Sequence, residues 1–94
     1  MEFEWDEAKA RSNAHKHGVT FEEGIEVFGD LCHVVSDAKS GAEVRQKAIG
    51  WVGDRMIAVI FTKRGVVFRL ISARPAKRTE RAIHGNRSLH ARSE

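Results

Sequence analysis

Apolar and capping residues near the start of the chain are spaced as in a short strand followed by a helix. Residues 3–5 (FEW) alternate apolar and polar side chains, which predicts a strand. Asp6 is a good N-cap for a helix of residues 7–17, and Gly18 can end that helix because glycine readily adopts a left-handed conformation. The cationic last turn suits the negative end of the helix dipole.

A capping-box sequence marks the start of a second helix. In residues 20–23 (TFEE), the Thr20 hydroxyl can accept a hydrogen bond from the Glu23 amide while the Glu23 carboxylate reaches back. The helix is predicted to end at Gly29. Its apolar face consists of Phe21, Gly24, Ile25 and Phe28.

After Asp30 the pattern changes to a period of two, which predicts strands joined by short polar or glycine-containing turns. Such turns favour an antiparallel meander. A last helix is predicted over residues 76–84, before Gly85, and residues 85–94 are expected to form a frayed tail. The predicted strands span residues 32–36, 45–52, 56–62 and 66–73.

Together these elements predict one α+β domain, residues 1–94, with the order βααββββα. Two N-terminal helices pack on one face of a four- to five-stranded antiparallel sheet, and a short C-terminal helix follows. The strand of residues 56–62 is apolar on both faces. Its second face is therefore expected to meet the C-terminal helix or a partner.

The composition is that of a globular chain, with 41% hydrophobic and 31% charged residues. No apolar run approaches the ~20 residues of a membrane span, and the acidic N-terminus is unlike a signal peptide. The single cysteine, Cys32, fits a reducing compartment, so a cytoplasmic protein without membrane contact is expected.

Charge is distributed unevenly along the chain. Residues 1–60 contain seven Lys/Arg and eleven Asp/Glu, a balance of −4, whereas residues 61–94 contain nine Lys/Arg and two Glu, a balance of +7. This polarity favours a polyanion or an acidic protein as partner of the C-terminal third. A solvated basic face is the alternative, and charge alone leaves both open.

Several common kinds of active site have no counterpart in the sequence. His15 and His17 lie two residues apart on a helix and point in different directions, and the other histidines show no ligand spacing with them. Neither Ser36 nor Ser72 lies in a nucleophile-elbow motif, and there is no phosphate-binding glycine loop. No metal or other cofactor is expected.

The basic residues that remain could cleave RNA without a metal. Such cleavage requires removal of the 2′-OH proton, stabilisation of a dianionic phosphorane and protonation of the 5′-oxygen. Arginine binds phosphate oxygens through two parallel hydrogen bonds, and histidine transfers protons near neutral pH. The candidate surface consists of Lys16, His17, Arg45, Lys47, Arg69, Arg74, Lys77, Arg78 and Arg81.

Each candidate also has a structural interpretation. His17 could simply interact with the helix dipole, Arg69 could protect a sheet edge, and Arg74 could form a salt bridge with Glu7 or Glu80. Strict alternation places Arg69 and Arg74 on opposite faces of their strand. They can face one site only if the strand ends or bulges near residues 72–73, or if Arg74 turns at the helix entry.

The chain resembles the BrnT family, the ribonuclease toxins of bacterial type II toxin–antitoxin pairs. The resemblance runs from about residue 3 to residue 82, and its most specific part is the segment of residues 13–23. It is carried by the segments WDEAK (5–9), NAHKHGVTFEE (13–23), VFGD (27–30), AIG (48–50), RLISAR (69–74) and ER (80–81).

The resemblance implies a RelE-like fold, with helices on one side of an antiparallel sheet and the RNA site on its open face. It also implies neutralisation by a BrnA-like antitoxin, a DNA-binding protein that covers the toxin. Operator DNA would then be bound only through the complex of the two proteins.

We accordingly predict a metal-independent endoribonuclease that cleaves RNA and inhibits translation and growth. Arg69 and Arg74 would contact the scissile phosphate, with Arg45 as a further contact, and His17 with Lys16 would transfer protons. Further RNA-binding residues would be Lys47, Lys77, Arg78 and Arg81. The alternatives are a non-catalytic nucleic-acid-binding or protein-interaction module, such as a degenerate toxin, and a scaffold that only binds the antitoxin.

The chain departs from its relatives at two places. Many relatives have a tyrosine soon after the Glu-Arg pair, but this chain has no tyrosine, so His84 is the substitute to consider. Gly24 also replaces the alanine that usually follows FEE. An exposed glycine at that position would weaken the helix by up to ~1 kcal/mol.

Overall fold

A computed structural model describes residues 1–29, 33–37 and 44–84 of the chain. The predicted tail of residues 85–94, the helix stop at Gly85, and Cys32 lie outside the described residues. The helices are α1 (Glu7–His17) and α2 (Phe21–Ile25), with a 3₁₀ turn at Glu26–Gly29. Residues 78–84 are also helical and are called the C-terminal helix. The strands are β1 (Glu2–Glu4), β2 (His33–Asp37), β3 (Arg45–Val52), β4 (Arg55–Arg64) and β5 (Val67–Pro75).

The ends of α1 follow the predicted capping. The Asp6 carboxylate accepts a 2.9 Å hydrogen bond from the Ala8 amide at the start of the helix. At its end, Gly18 has φ 70° and donates its amide to the Ala14 carbonyl at 2.8 Å. Local side-chain chemistry therefore determines both ends of α1.

The capping box of α2 is also confirmed. Thr20 accepts a hydrogen bond from the Glu23 amide at 3.0 Å, and the Glu23 carboxylate accepts one from the Thr20 amide at 2.8 Å. The α-helical part is shorter than predicted, because the chain tightens into a 3₁₀ turn after Ile25.

The five strands form one sheet in the order β1-β5-β4-β3-β2. The predicted α+β class and the antiparallel meander of β2 to β5 are confirmed. One detail differs, because β1 pairs with β5 in parallel, with Glu4 opposite Arg69. The alternation within a three-residue strand carries no information about its direction, and α1 lies between β1 and the rest of the sheet in sequence.

The main core lies between the sheet and the two N-terminal helices. At one end of this core, the rings of Phe3, Phe28, Phe61 and Phe68 pack together with centroid distances of 5.2–5.8 Å. The buried residues of the core are Val19, Phe21, Val27, Ala48, Ile57, Val59, Phe61, Leu70 and Ala73.

Gly24 allows α2 to approach the sheet closely. A Cβ atom at this position would lie 3.3 Å from the Cβ of Ala73 and 3.3 Å from a methyl group of Val59. Because Gly24 is buried, the cost expected for an exposed helical glycine does not describe it. The glycine instead has a packing role.

The second face of the sheet, opposite α1 and α2, meets the C-terminal helix. This contact was one of the two alternatives predicted for that face. Glu80 of this helix contacts side chains of β3 and β5, and Ile49 and Ala58 of this face are fully buried. His84 is also buried, at 1% exposure. Within the described part of the chain, no helix combines the length and hydrophobicity of a membrane span.

Candidate functional site

A β-bulge places the two predicted phosphate ligands on the same face of the sheet. The pairing of β5 with β4 skips Ile71, so the alternation of side chains reverses at that residue. Leu70 and Ala73 consequently both face α2, although they are three residues apart. Arg69 and Arg74 both lie on the second face, which is the arrangement that strict alternation had excluded.

Arg74 forms a bidentate ion pair with Glu80 of the C-terminal helix. Its two terminal nitrogens each donate a 2.8 Å hydrogen bond to a different oxygen of the carboxylate. Lys47 of β3 donates a third hydrogen bond to Glu80 at 2.7 Å, and the Lys77 amide donates a fourth at 2.7 Å. Of the two partners that the sequence suggested for Arg74, the structure selects Glu80.

The surroundings of Glu80 stabilise its ionised form. The pKa of Glu80 is lowered to about 2 from an ordinary value of 4.5, chiefly by the hydrogen bonds from Arg74, although burial opposes this shift. Hydrogen bonds from Lys47 and the Lys77 amide act in the same direction as those from Arg74. Glu80 is therefore a carboxylate throughout the physiological pH range, and it holds the C-terminal helix against β3 and β5.

Arg69 pairs with Glu4 across the parallel β1–β5 register. The distance between its terminal nitrogen and the carboxylate oxygen is 2.9 Å. The side chains are 32% and 42% exposed, so solvent screens this pair more than the pair formed by Arg74. Arg69 is thus the more accessible of the two arginines.

The predicted proton-transfer residues line a different cavity. Lys16 and His17, from the last turn of α1, reach a shallow cavity of about 210 Å³ beside the bulge. Neither Arg69 nor Arg74 lines this cavity. The structure therefore brings Lys16 and His17 near β5 without placing them in one cavity with the arginines. The lining residues are Lys9, Ser12, Asn13, Lys16, His17, Ile71 and Ser72.

Asn13 has a structural role that the sequence interpretation missed. Its amide nitrogen donates to the carbonyls of Ala73, at 2.7 Å, and Val19, at 3.0 Å, while its oxygen accepts from the Ala73 amide at 3.1 Å. The Ser72 hydroxyl donates to the same oxygen at 3.3 Å. Asn13 thereby takes the place of a neighbouring strand along β5, next to the bulge. A buried polar residue on an otherwise polar helix leaves no periodic signal in the sequence.

The other predicted cations are exposed. Arg45 lies at the start of β3, and Lys77, Arg78 and Arg81 lie at or near the start of the C-terminal helix. Among the described residues, none of these four side chains forms an ion pair. They contrast with Lys47, whose ammonium group is bound by Glu80.

Two further predictions concern histidine and metals. His84 is 1% exposed, so a substrate cannot reach it for proton transfer in this structure. Within residues 1–29, 33–37 and 44–84, no three His, Cys, Asp or Glu side chains are grouped as a metal ion would require.

Comparison with known proteins identifies the family. No curated protein matches the chain. A family model described as "Ribonuclease toxin, BrnT, of type II toxin-antitoxin system" matches residues 5–80, which include α1, α2, strands β2 to β5 and the Arg74–Glu80 pair. The chain therefore belongs to the BrnT family of type II toxin–antitoxin ribonuclease toxins.

Proposed function

We propose that this chain is an endoribonuclease toxin that cleaves RNA without a metal ion and thereby inhibits translation in the cytoplasm. The observation that carries the proposal is the family match over residues 5–80, which contains both sheet arginines and the His17 segment. The β-bulge adds support, because it turns Arg69 and Arg74 toward one face of the sheet.

In the proposed mechanism, Arg69 and Arg74 stabilise the negative charge that develops on the scissile phosphate. A guanidinium group binds two phosphate oxygens with the same fork geometry that Arg74 uses toward Glu80. Arg45 lies on the same face by the alternation of β3 and provides a further contact. The phosphate would replace a carboxylate as the partner of each paired arginine.

His17 and Lys16 would carry out proton transfer from the other side of the bulge. Their cavity includes Ile71 and Ser72, which lie between Arg69 and Arg74 in sequence. An RNA strand that crosses the edge of β5 at the bulge could present its phosphate to the arginines and its 2′-OH to His17. Histidine is suited to this role because its ordinary pKa is close to neutral pH.

A BrnA-like antitoxin is the proposed partner. Membership of a type II toxin family implies an antitoxin, and the basic C-terminal third would attract an acidic one. We further propose that the antitoxin binds DNA and that this chain contacts the operator only through the complex. A short neighbouring gene for a ribbon-helix-helix protein would support this part of the proposal.

Controlled expression of the chain alone tests the activity. Growth arrest with fragmented messenger RNA is expected, together with rescue by the co-expressed antitoxin. Arg74→Lys should relieve the arrest, whereas Arg11→Lys, at an exposed position of α1, should not. Undiminished growth with intact RNA, at a level where the folded protein is detected, would contradict the proposal.

The second candidate is a non-catalytic module that binds RNA or the antitoxin. It is favoured by the pairing of Arg69, Arg74 and Lys47 with carboxylates and by the separate position of His17. Purified protein that binds RNA with no cleavage over hours would support this alternative.

A further inference from the structure

Trp51 lies on the second face of the sheet beside the C-terminal helix, and 40% of its surface is exposed. It pairs with Met56 across the β3–β4 hairpin, on the same face as Lys47. Tryptophan is enriched at binding interfaces, where its ring offers a large contact area. The other tryptophan, Trp5, packs instead against Phe21 of the core.

Two exposed arginines of the C-terminal helix stand next to this ring. Arg78 and Arg81 line a cavity of about 520 Å³ together with Trp51, Met56 and Ala82, and none of the described carboxylates lines it. A smaller cavity of about 280 Å³, which shares Trp51 and Arg81 with the larger one, is lined by Asp54 as well as Arg55. The larger cavity is therefore the better site for an anion.

The arginines of the larger cavity differ from those of the sheet in their partners. Within the described residues, Arg78 and Arg81 form no ion pair, whereas Arg69 and Arg74 are bound to Glu4 and Glu80. Their charge is available to a ligand without displacement of any described carboxylate.

We propose that Trp51, Arg78 and Arg81 form a subsite for one nucleotide of single-stranded RNA, whose base stacks on the indole ring. The arginines would bind the adjoining phosphates. Stacking uses the faces of the ring and does not depend on the indole N–H. This inference rests on the proposed function insofar as the ligand is RNA.

The position of the subsite fits a role beside the proposed cleavage site. Arg74 pairs with Ala58, and Ala58 pairs with Ile49, two residues before Trp51. Two strand spacings and two residues along β3 separate the Cα atoms of Arg74 and Trp51 by about 12 Å. A short stretch of RNA could span both, so the base at Trp51 would be one that influences where the toxin cleaves.

The combination of groups favours RNA over a protein segment as the occupant. A protein would need apolar contacts over a wide area, but the described apolar residues that line the larger cavity are three, Trp51, Met56 and Ala82, beside two cations. An aromatic ring flanked by arginines matches the stacking platforms of single-strand-binding proteins. Binding of the antitoxin at Trp51 is the competing outcome in the test.

The test separates binding from cleavage by means of a 2′-O-methyl oligonucleotide, which lacks the nucleophile. Affinity is measured by fluorescence anisotropy with the full chain and its variants. Trp51→Ala should weaken binding about tenfold or more, whereas Trp51→Phe should retain most of the affinity. Val66→Ala, which truncates an exposed apolar residue in the β4–β5 turn, is the matched control and should leave the affinity unchanged.

A second measurement reports on the ring itself. In a Trp5→Phe background, Trp51 is the remaining tryptophan, and its emission should change on addition of the oligonucleotide. When an abasic nucleotide is placed at each position of the oligonucleotide in turn, the change in Trp51 emission should be lost at one of these positions. If Trp5→Phe fails to fold, the anisotropy series in the wild-type background decides alone.

Equal affinity of Trp51→Ala and the wild-type chain would overturn the subsite, even if the toxin cleaves RNA. A response of Trp51 to the antitoxin but not to RNA would overturn it in favour of a protein contact, and absence of any RNA binding would overturn it as well. Loss of affinity in Trp51→Ala without cleavage of natural RNA by the wild-type chain would support the subsite and contradict only the proposed activity.

Discussion

Arg74 and Glu80 form a two-pronged ion pair that joins the end of β5 to the C-terminal helix, with both hydrogen bonds at 2.8 Å. Two residues separate this strand from the helix. The Glu80 carboxylate also accepts a hydrogen bond from the Lys77 amide, as the third residue of a helix does in a capping box. One carboxylate therefore caps the helix and neutralises the arginine. This pairing explains how the half-buried Arg74 side chain is accommodated on the second face of the sheet.

Loss of the charge on Glu80 should destabilise the protein at neutral pH. Glu80→Gln keeps the shape but weakens the hydrogen bonds to Arg74 and Lys47, which we expect to cost on the order of 2 kcal/mol. For a domain of this size, that corresponds to a decrease in Tm of roughly 10 °C. Thermal melting at pH 7 measures the difference.

The lowered pKa of Glu80 predicts that the effect of this substitution on stability depends on pH. The pKa of Glu80 is about 2 in the folded protein against an ordinary 4.5, so its ionisation contributes stability above pH 4.5 that is lost between 4.5 and 2. The Tm difference between Glu80→Gln and the wild-type chain should therefore shrink as the pH falls through this range. Glu22→Gln, which alters an exposed carboxylate of α2, is the control. A difference that is constant from pH 7 to about 2 would contradict this role of Glu80.

Asn13 should be essential for the conformation of β5 next to the bulge. Asn13→Ala leaves the amide and carbonyl of Ala73 and the carbonyl of Val19 without their side-chain partner, at a cost of about 2–4 kcal/mol. Because the bulge orients both sheet arginines, cleavage at a temperature where the variant is folded should also decrease.

Arg11→Ala is the matched control for Asn13→Ala, since Arg11 is exposed on the same helix and does not line the cavity of Lys16 and His17. Melting and cleavage are measured for both variants. If Asn13→Ala is as stable as the wild-type chain, water molecules replace the hydrogen bonds of the Asn13 side chain along β5.

Elements defined by local chemistry were predictable from the sequence. Asp6 and Gly18 bound α1, and the Thr20–Glu23 pair opens α2, because each interaction joins residues close in sequence. The meander was predictable because short turns connect neighbouring strands. The same patterns gave the correct α+β class.

Features that depend on distant residues were not predictable in this way. The bulge at Ile71 lies in an apolar run without glycine, so the sequence does not mark its position. Strict alternation of side chains showed only that Arg69 and Arg74 would share a face if the strand contained a bulge. The hydrogen bonds of Asn13 reach residues up to 60 positions away, and the parallel pairing of β1 joins residues 2–4 to residues 67–69. None of these leaves a local pattern.

Cleavage should not require a divalent metal. The sequence offers no ligand cluster, and the proposed chemistry uses arginine and histidine alone. RNA cleavage by the purified chain should therefore persist in excess EDTA and leave a 2′,3′-cyclic phosphate or its hydrolysis product at the 3′ end. A chain that cleaves only after magnesium is restored would require a different mechanism.

Arg69→Lys and Arg74→Lys distinguish a phosphate contact from a structural ion pair. Lysine keeps the charge but loses the planar fork, so each variant should lower cleavage on the order of 10²-fold or more if the arginine stabilises the transition state. The effects on stability should differ, because the Arg69 pair is more exposed than the Arg74 pair. We expect ~1 kcal/mol or less for Arg69→Lys and about 1–2 kcal/mol for Arg74→Lys.

Cleavage and melting are therefore measured together for both variants, at a temperature well below each Tm. Lys77→Ala, an exposed cation that precedes the C-terminal helix, is the control for a general loss of positive charge. If Arg69→Lys retains full activity, Arg69 does not contact the phosphate and has only its structural pairing with Glu4. If the activity of Arg74→Lys falls only in step with its Tm, Arg74 holds the strand–helix junction together and does not contact the phosphate. A large loss of cleavage in both variants, with Arg69→Lys as stable as the wild-type chain, is the result that the shared face of the two arginines predicts.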